Sequence, residues 1–121
     1  MKFRELDTIQ TRNRLNRVYA VDEPGCGSAS HSYTVCREDD GEKIAKIQFQ
    51  HGPRNMADST PGVLDTDLLE MVRDRLIGFQ SGEFACRENA IALTHIEDAL
   101  LWMNRRVEAR AKRGVLGTNE K

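Results

Sequence analysis

The feature that most constrains this chain is a helical run near its end. From about Cys86 to Arg113 the residues read as one helix, closed by Gly114 in the position that favours a left-handed residue. At about 1.5 Å per residue such a helix is about 40 Å long. A compact monomer of 121 residues has a radius of gyration of about 14 Å and a diameter of only about 35 Å. The helix is therefore expected to project into a partner. Its pattern agrees: at about 100° per residue, Leu93, Ile96, Ala99, Leu100, Met103 and Val107 form one apolar stripe, and Ile91, Trp102 and Ala109 form a second about 150° away. One stripe serves an intrachain helical hairpin. The other needs a further surface, most simply a second copy of the chain, with cover by a small sheet as the alternative.

The other helix of the hairpin begins near Asp65 or Thr66 as N-cap and runs through LLEMVRDRLIGFQ, where Leu68, Leu69, Val72, Leu76 and Phe79 fall within an arc of about 100°. Gln80-Ser81-Gly82 stops it. The first half has a different grammar. Extended segments from Arg17 to Val21, His31 to Arg37 and Lys43 to Gln50 are separated by DEPGCGSAS and EDDGE, with Asp40-Gly41 marking a hairpin turn and Ile44, Ile47 and Phe49 supplying an apolar face. HGPRNMADSTPG, with Pro53 and Pro61, reads as a long irregular connection, and long ordered connections often carry function. The expected fold is α+β in one domain over 1–121: a small N-terminal antiparallel sheet over about 16–50, a connection over 51–64, a helical hairpin with a long C-terminal helix over 65–114, and a tail over 115–121, oligomerising through the helices. Three short strands permit more than one order, which stays open.

Charge narrows the function. With 18 Lys+Arg against 19 Asp+Glu the net charge is -1, which removes the broad basic footprint of a non-specific nucleic-acid or polybasic membrane binder. No apolar run approaches the roughly 20 residues of a membrane helix, and MKFRELDTIQ lacks the apolar core of a secretory signal; the expectation is a soluble, cytoplasmic protein. Cys26, Cys36 and Cys86 form no Cys-x-x-Cys pair and are expected as reduced thiols. Cys26, His31 and Cys36 are evenly spaced but lack a fourth ligand and the usual spacings, so neither metal nor cofactor is expected. No phosphate-binding glycine loop, Gly-x-Ser-x-Gly elbow or His-x-x-x-His pair occurs, and His31, His51 and His95 are scattered, which argues against an enzyme. EDDGE reads as a solvated hairpin tip.

The chemistry left is concentrated on the long helix. Arg106, Arg110 and Arg113 project within an arc of about 60°, with Arg105 and Lys112 on the neighbouring face. Planar guanidinium forks in a row suit a pyrophosphate or cyclic phosphodiester; the plainer reading is a solvated face favoured by the helix dipole. Asn89 points along the main apolar stripe, where its carboxamide needs a partner: a ligand, the helix end or the interhelical turn. Phe79 is either core or a stacking platform, with Phe84 an equal candidate for the latter. Asn89 and Arg106 are 17 residues apart, about 25 Å on one helix, beyond the reach of a dinucleotide-sized ring. If both touch one ligand they come from different chains, most simply helices packed antiparallel across a two-fold axis, with two symmetric sites per dimer.

The run FQSGEFACRENAIALTHIEDALLWMNRRVEARAKRGVLGT resembles the helical hairpin shared by two phage sponge families, the Thoeris anti-defence and the anti-CBASS proteins. The likeness covers Phe79 to Thr118, with the Phe-Gln-x-Gly turn, Arg87-Glu88-Asn89, Trp102, and Arg106, Arg110 and Arg113-Gly114-Val115. NRVYAVDEPGCGSASHSYTVC and KIAKIQFQHGPRN are similar to the sheet-bearing Thoeris type, extending the likeness to about Asn16. The resemblance implies sequestration, without cleavage, of glyco-cyclic ADP-ribose made by TIR-domain enzymes in an infected bacterial cell. It implies a ligand held between protomers of a homo-oligomer, a dimer or a hexamer built as a trimer of dimers. It carries the ligand-binding role onto Phe79, Asn89, Arg106 and Arg110, with Arg113 and Arg54 as further candidates. A second site for cyclic dinucleotides or trinucleotides stays open, with Arg87 its candidate. Other readings kept beside this one are a nucleic-acid-binding regulator using the arginine-rich helix, a phosphodiesterase or lyase acting on the same signal, and a structural phage protein.

Overall fold

The structure is a computed structural model and describes residues 3–118 and 120, with Cys26 by its backbone alone. The expected thiol of Cys26, and its place beside His31 and Cys36, therefore lie outside the described residues. The chain divides into two compact units, Met1–Val63 and Leu64–Lys121. The fold is α+β, as expected: antiparallel strands followed by two helices.

The first unit is a four-stranded meander in the order β1 (Arg4–Glu5), β2 (Asn16–Ala20), β3 (Ser32–Arg37) and β4 (Lys43–Gln48), each strand antiparallel to the next. Strand order follows chain order because each connection is a local reversal. The β3–β4 reversal turns at Gly41, whose φ of 73° is left-handed, and is closed by the Arg37 amide donating to the Glu42 carbonyl at 2.8 Å. β1 lies in the stretch where the sequence offers no period. Arg17, on β2, donates to Glu38 at 2.8 and 2.9 Å and to Glu5 of β1 at 3.1 Å, and Arg14 pairs with both carboxylates at 3.2 and 3.3 Å. The Arg17 hydrogen bond and charge hold the Glu38 carboxyl below its ordinary range.

One expectation for β4 fails. Val35 pairs with Ala45 while Cys36 pairs with Lys43, so Ile44 is an extra residue in a bulge, and it is half exposed rather than part of a continuous apolar face with Ile47 and Phe49. A bulge re-aims the side chains on either side of it, which the alternation of residue types does not reveal. Phe49 meets Tyr33 edge-on, with ring centroids 5.6 Å apart.

The 51–64 connection is pinned back onto the strand end. Val63 bridges Phe49 in parallel and Thr60 bridges His51 in antiparallel fashion. Gly62 permits the approach: a Cβ there would fall on the Gln48 carbonyl oxygen and within 2.6 Å of the Phe49 oxygen. Ala20, Ser30, His31 and Thr34 are the buried residues among those described. His31 and His51 are not scattered: their rings stack in parallel, centroids 4.1 Å apart. The Asp22 carboxylate accepts the His31 amide at 2.9 Å and the Ser32 amide at 3.2 Å, which fixes the loop before β3.

The second unit is the helical hairpin, α1 (Asp65–Gln80) and α2 (Arg87–Lys112). The start of α1 is set one residue earlier than expected. Leu64 is the N-cap, and neither Asp65 nor Thr66 has that place, because the Asp67 carboxylate reaches back to accept the Leu64 amide at 2.8 Å. α2 has Cys86 as N-cap, its thiol accepting the Asn89 amide at 3.4 Å. The expected close at Gly114 holds: its φ is 73°, its amide donates to Ala111, and the Val115 amide donates to Arg110 at 3.0 Å, the pair of bonds of a Schellman motif. Between the helices, Arg73 of α1 donates to Glu97 of α2 at 2.8 Å and to Glu70 on its own helix at 3.3 Å. Leu93, Ile96, Ala99, Leu100 and Met103 of the main stripe are partly buried but its last member, Val107, is exposed, as are Ile91, Trp102 and Ala109 of the second stripe, Trp102 by 61%.

Candidate functional site

The hairpin brings candidate residues to three places. At the end of α1, Phe79 is 38% exposed and carries the Arg75 guanidinium 5.3 Å from its ring centroid. The pair sits four residues apart, where helix side chains meet, so a cation already covers part of a ring that core packing leaves open. Phe84 lies in the turn and is more exposed still, at 68%.

At the start of α2, Asn89 is half-buried. Its backbone amide is capped by Cys86, and its carboxamide makes no hydrogen bond among the described residues. That polar group was expected to cap the helix end, to bond the interhelical turn or to meet a ligand; the Cys86 thiol does the capping, and no bond from the carboxamide to the turn occurs among the described residues. Arg87 is exposed in the first turn.

At the far end of α2 the arginines differ from one another. Arg106 is exposed and pairs with no acceptor among the described residues. Arg105 packs its guanidinium 5.2 Å from the Trp102 ring centroid. Arg110 is half-buried and folds over the tail: Nη2 donates to the Val115 and Thr118 carbonyls at 3.0 and 3.1 Å, and Nη1 donates to the Glu120 carbonyl at 2.6 Å. Of its five N–H groups, Nε–H and one on Nη1 are left without an acceptor among the described residues. Arg113 is exposed and is the C-cap residue. α2 is unbroken between Asn89 and Arg106, so the two stand far apart along one helix.

Arg54 belongs to the first unit and is held in the connection. Nε and Nη2 both donate to the Gln50 side-chain oxygen, at 3.2 and 3.1 Å, and Nη2 also donates to the Gly62 carbonyl at 3.1 Å. A hollow of about 470 Å³ on the sheet, lined by Phe3, Tyr19, Thr34, Cys36 and Lys43 among others, includes none of the candidate residues. Among the described residues no group of three or more His, Cys, Asp or Glu side chains is placed to hold a metal ion, and no helix is long and apolar enough to cross a membrane.

Set against known proteins, the profile of the Acb2/Tad1 hairpin domain matches residues 42–108, more than half of the 121-residue chain. The chain belongs to the Acb2/Tad1 hairpin family. The match to that family opens at the β3–β4 turn and closes near the end of α2, so Arg54, Phe79, Arg87, Asn89 and Arg106 lie inside it and Arg110 and Arg113 beyond it. A relative, Thoeris anti-defense 1 of Bacillus phage SBSphiJ7, is 45% identical over 95 residues, which is 78% of this chain and 66% of the relative. The chain thus spans just under two thirds of that relative's length.

Two parts of the site escaped the sequence. The Arg75–Phe79 pair had a signal, its spacing of four on a helix. The tail carbonyls around Arg110 had none, because which acceptors a flexible side chain reaches depends on where the chain goes after the helix.

Proposed function

We propose that the protein is a phage-encoded anti-defence sponge that binds glyco-cyclic ADP-ribose and holds it without cleavage, in pockets shared between protomers of a homo-oligomer. One observation carries this reading. The hairpin presents the Asn89 carboxamide and the Arg106 guanidinium, neither hydrogen-bonded among the described residues, at separate ends of one unbroken helix. A ligand of dinucleotide size meets both only where two copies of the helix run antiparallel. The second apolar stripe, Ile91, Trp102 and Ala109, is exposed and supplies a face for a second copy. Membership of the hairpin family, and the likeness to a Thoeris anti-defense protein, favour a signal of the Thoeris type.

In this reading Phe79 stacks on a base, Asn89 reads a polar edge, and Arg106 with Arg110 clamps the pyrophosphate, with Arg113 as a further phosphate contact. Arg54 enters as a ligand residue on the resemblance alone, and Arg87 as the residue of a second site for cyclic oligonucleotides. Three charge-assisted bonds and two stacking contacts at about 2 kcal/mol each come to about 10 kcal/mol, a dissociation constant of tens of nanomolar if additive. A sponge that competes with a receptor requires at least that.

The test is to mix purified protein with glyco-cyclic ADP-ribose, remove free ligand by filtration, denature the complex by heat and identify what is released. Intact ligand, stoichiometric with the pockets, is the expected result. A cleaved product would make the protein an enzyme, and no retained ligand would sink the proposal.

A further inference from the structure

We infer that Gln80 is a positioning residue for the proposed ligand site: its carboxamide clasps both backbone groups of Cys86 and so fixes the start of α2, which carries Asn89, to the end of α1, which carries Phe79. The inference rests on the sponge reading above. Gln80 is the last residue of α1 and Cys86 the N-cap of α2. Gln80 Nε2 donates to the Cys86 carbonyl at 3.1 Å, and the Cys86 amide donates to Gln80 Oε1 at 3.0 Å. A carboxamide offers a donor and an acceptor in one plane, and here it meets the N–H and C=O of one residue, as a residue of a neighbouring antiparallel strand would.

The clasp matters because, among the described residues, no other hydrogen bond joins the last residues of α1 to the first of α2. Within the turn itself, the bonds are the Ser81 and Gly82 amides closing α1, the Ser81 hydroxyl donating to the Gly78 carbonyl at 2.7 Å, and one from Ala85 to Gly82 at 3.2 Å. The α2 cap is a thiol, a weak acceptor beside the Ser, Thr, Asp or Asn oxygen that helix starts favour. Arg73 and Glu97 join the helices further along their length. Phe79 precedes Gln80 by one residue and Asn89 follows Cys86 by three, so the two bonds of one side chain hold the two ligand candidates in register. Binding gains when groups are fixed before the ligand arrives, since less ordering entropy is then lost.

The variants Gln80→Ala and Gln80→Glu separate positioning from general stability. At pH 7.5 both are expected to bind glyco-cyclic ADP-ribose about tenfold more weakly than wild type, with the amides of Asn89 and Ala90 exchanging about tenfold faster, while far-UV circular dichroism and oligomer size stay unchanged. Lowering the pH through about 4.3 protonates the introduced glutamate, and the neutral acid again offers one donor and one acceptor. The affinity of Gln80→Glu then approaches that of wild type while that of Gln80→Ala does not; Glu83 and every other titrating group are common to all three chains, so the comparison removes them. Variants that bind as tightly as wild type, or a glutamate variant that fails to recover on protonation, overturn the inference. If wild type itself retains no ligand, the sponge reading falls and the inference falls with it.

Discussion

Arg110 and Val115 are bonded to each other in both directions: the Val115 amide donates to the Arg110 carbonyl at 3.0 Å, and Arg110 Nη2 donates to the Val115 carbonyl at 3.0 Å. The first bond belongs to the helix close and the second to the side chain, which also gathers Thr118. Arg110→Ala keeps the first and removes the second, together with the side-chain bonds to Thr118 and Glu120. The substitution is expected to cost about 1 kcal/mol of local stability and to raise the open population of the tail about fivefold. Faster tryptic cleavage after Arg113, at an unchanged melting temperature, is the measurement; an unchanged cleavage rate would mean the fork does not hold the tail.

Arg106 is expected to behave differently from Arg110, because no structural partner depends on it among the described residues. Arg106→Ala leaves the denaturation midpoint within about 0.5 kcal/mol of wild type. If it binds phosphate in the proposed site, titration with glyco-cyclic ADP-ribose shows a loss of about 2 kcal/mol, roughly thirtyfold in affinity. Unchanged titration curves for both Arg106→Ala and Arg110→Ala would falsify the clamp.

Asp22 gives the first unit an acid-sensitive joint. Burial pushes its carboxyl upward, but the amide bonds from His31 and Ser32 outweigh it and hold the group below the ordinary carboxylate range. A group whose folded value is depressed contributes its stability above the unfolded value, about pH 4, and loses it as pH falls through the folded value. Asp22→Asn is expected to cost about 1 to 2 kcal/mol at pH 7 and to flatten the loss as pH falls below about 4. Urea midpoints measured across that range give the answer, and parallel curves for the two chains would exclude Asp22 as the cause.

Gly62→Ala is a steric test of the connection. The new Cβ would meet backbone, not a yielding side chain, so the bridge between Phe49 and Val63 must open. A loss of about 3 kcal/mol is expected, read as a lowered urea midpoint. A loss under about 0.5 kcal/mol would show that the strand end shifts freely.

The Arg73–Glu97 pair joins the two helices at 2.8 Å, yet both side chains are about two-fifths exposed. Solvent and salt weaken such a pair, so a double-mutant cycle is expected to return a coupling of about 0.5 kcal/mol that shrinks in high salt. A coupling above about 2 kcal/mol would mark the pair as a principal tie of the hairpin.

Much of the architecture was local enough to be written in the residues. The apolar spacing of α2, its close at Gly114 and the turn at Gly41 are set within a few residues by backbone sterics and side-chain period, and the helix and three of the four strands lie where those patterns put them. The arginine row and Asn89 were also legible, because a helix fixes the direction of each side chain from its number. What the tertiary structure alone decided are relations between residues distant in the chain, or choices among partners of equal chemistry. β1 is a strand because Arg4 and Glu5 pair with Ala20 and Tyr19 of β2, and its two residues have no period to read. Ile44 left the apolar face because the β3–β4 ladder takes an extra residue there. His31 and His51 stack, Gln80 reaches Cys86, and Arg110 turns from solvent to the tail carbonyls. Each of these contacts is worth a kcal/mol or two at most, less than the pattern that forms a helix, and it is selected only once the rest of the chain has fixed which groups lie within reach.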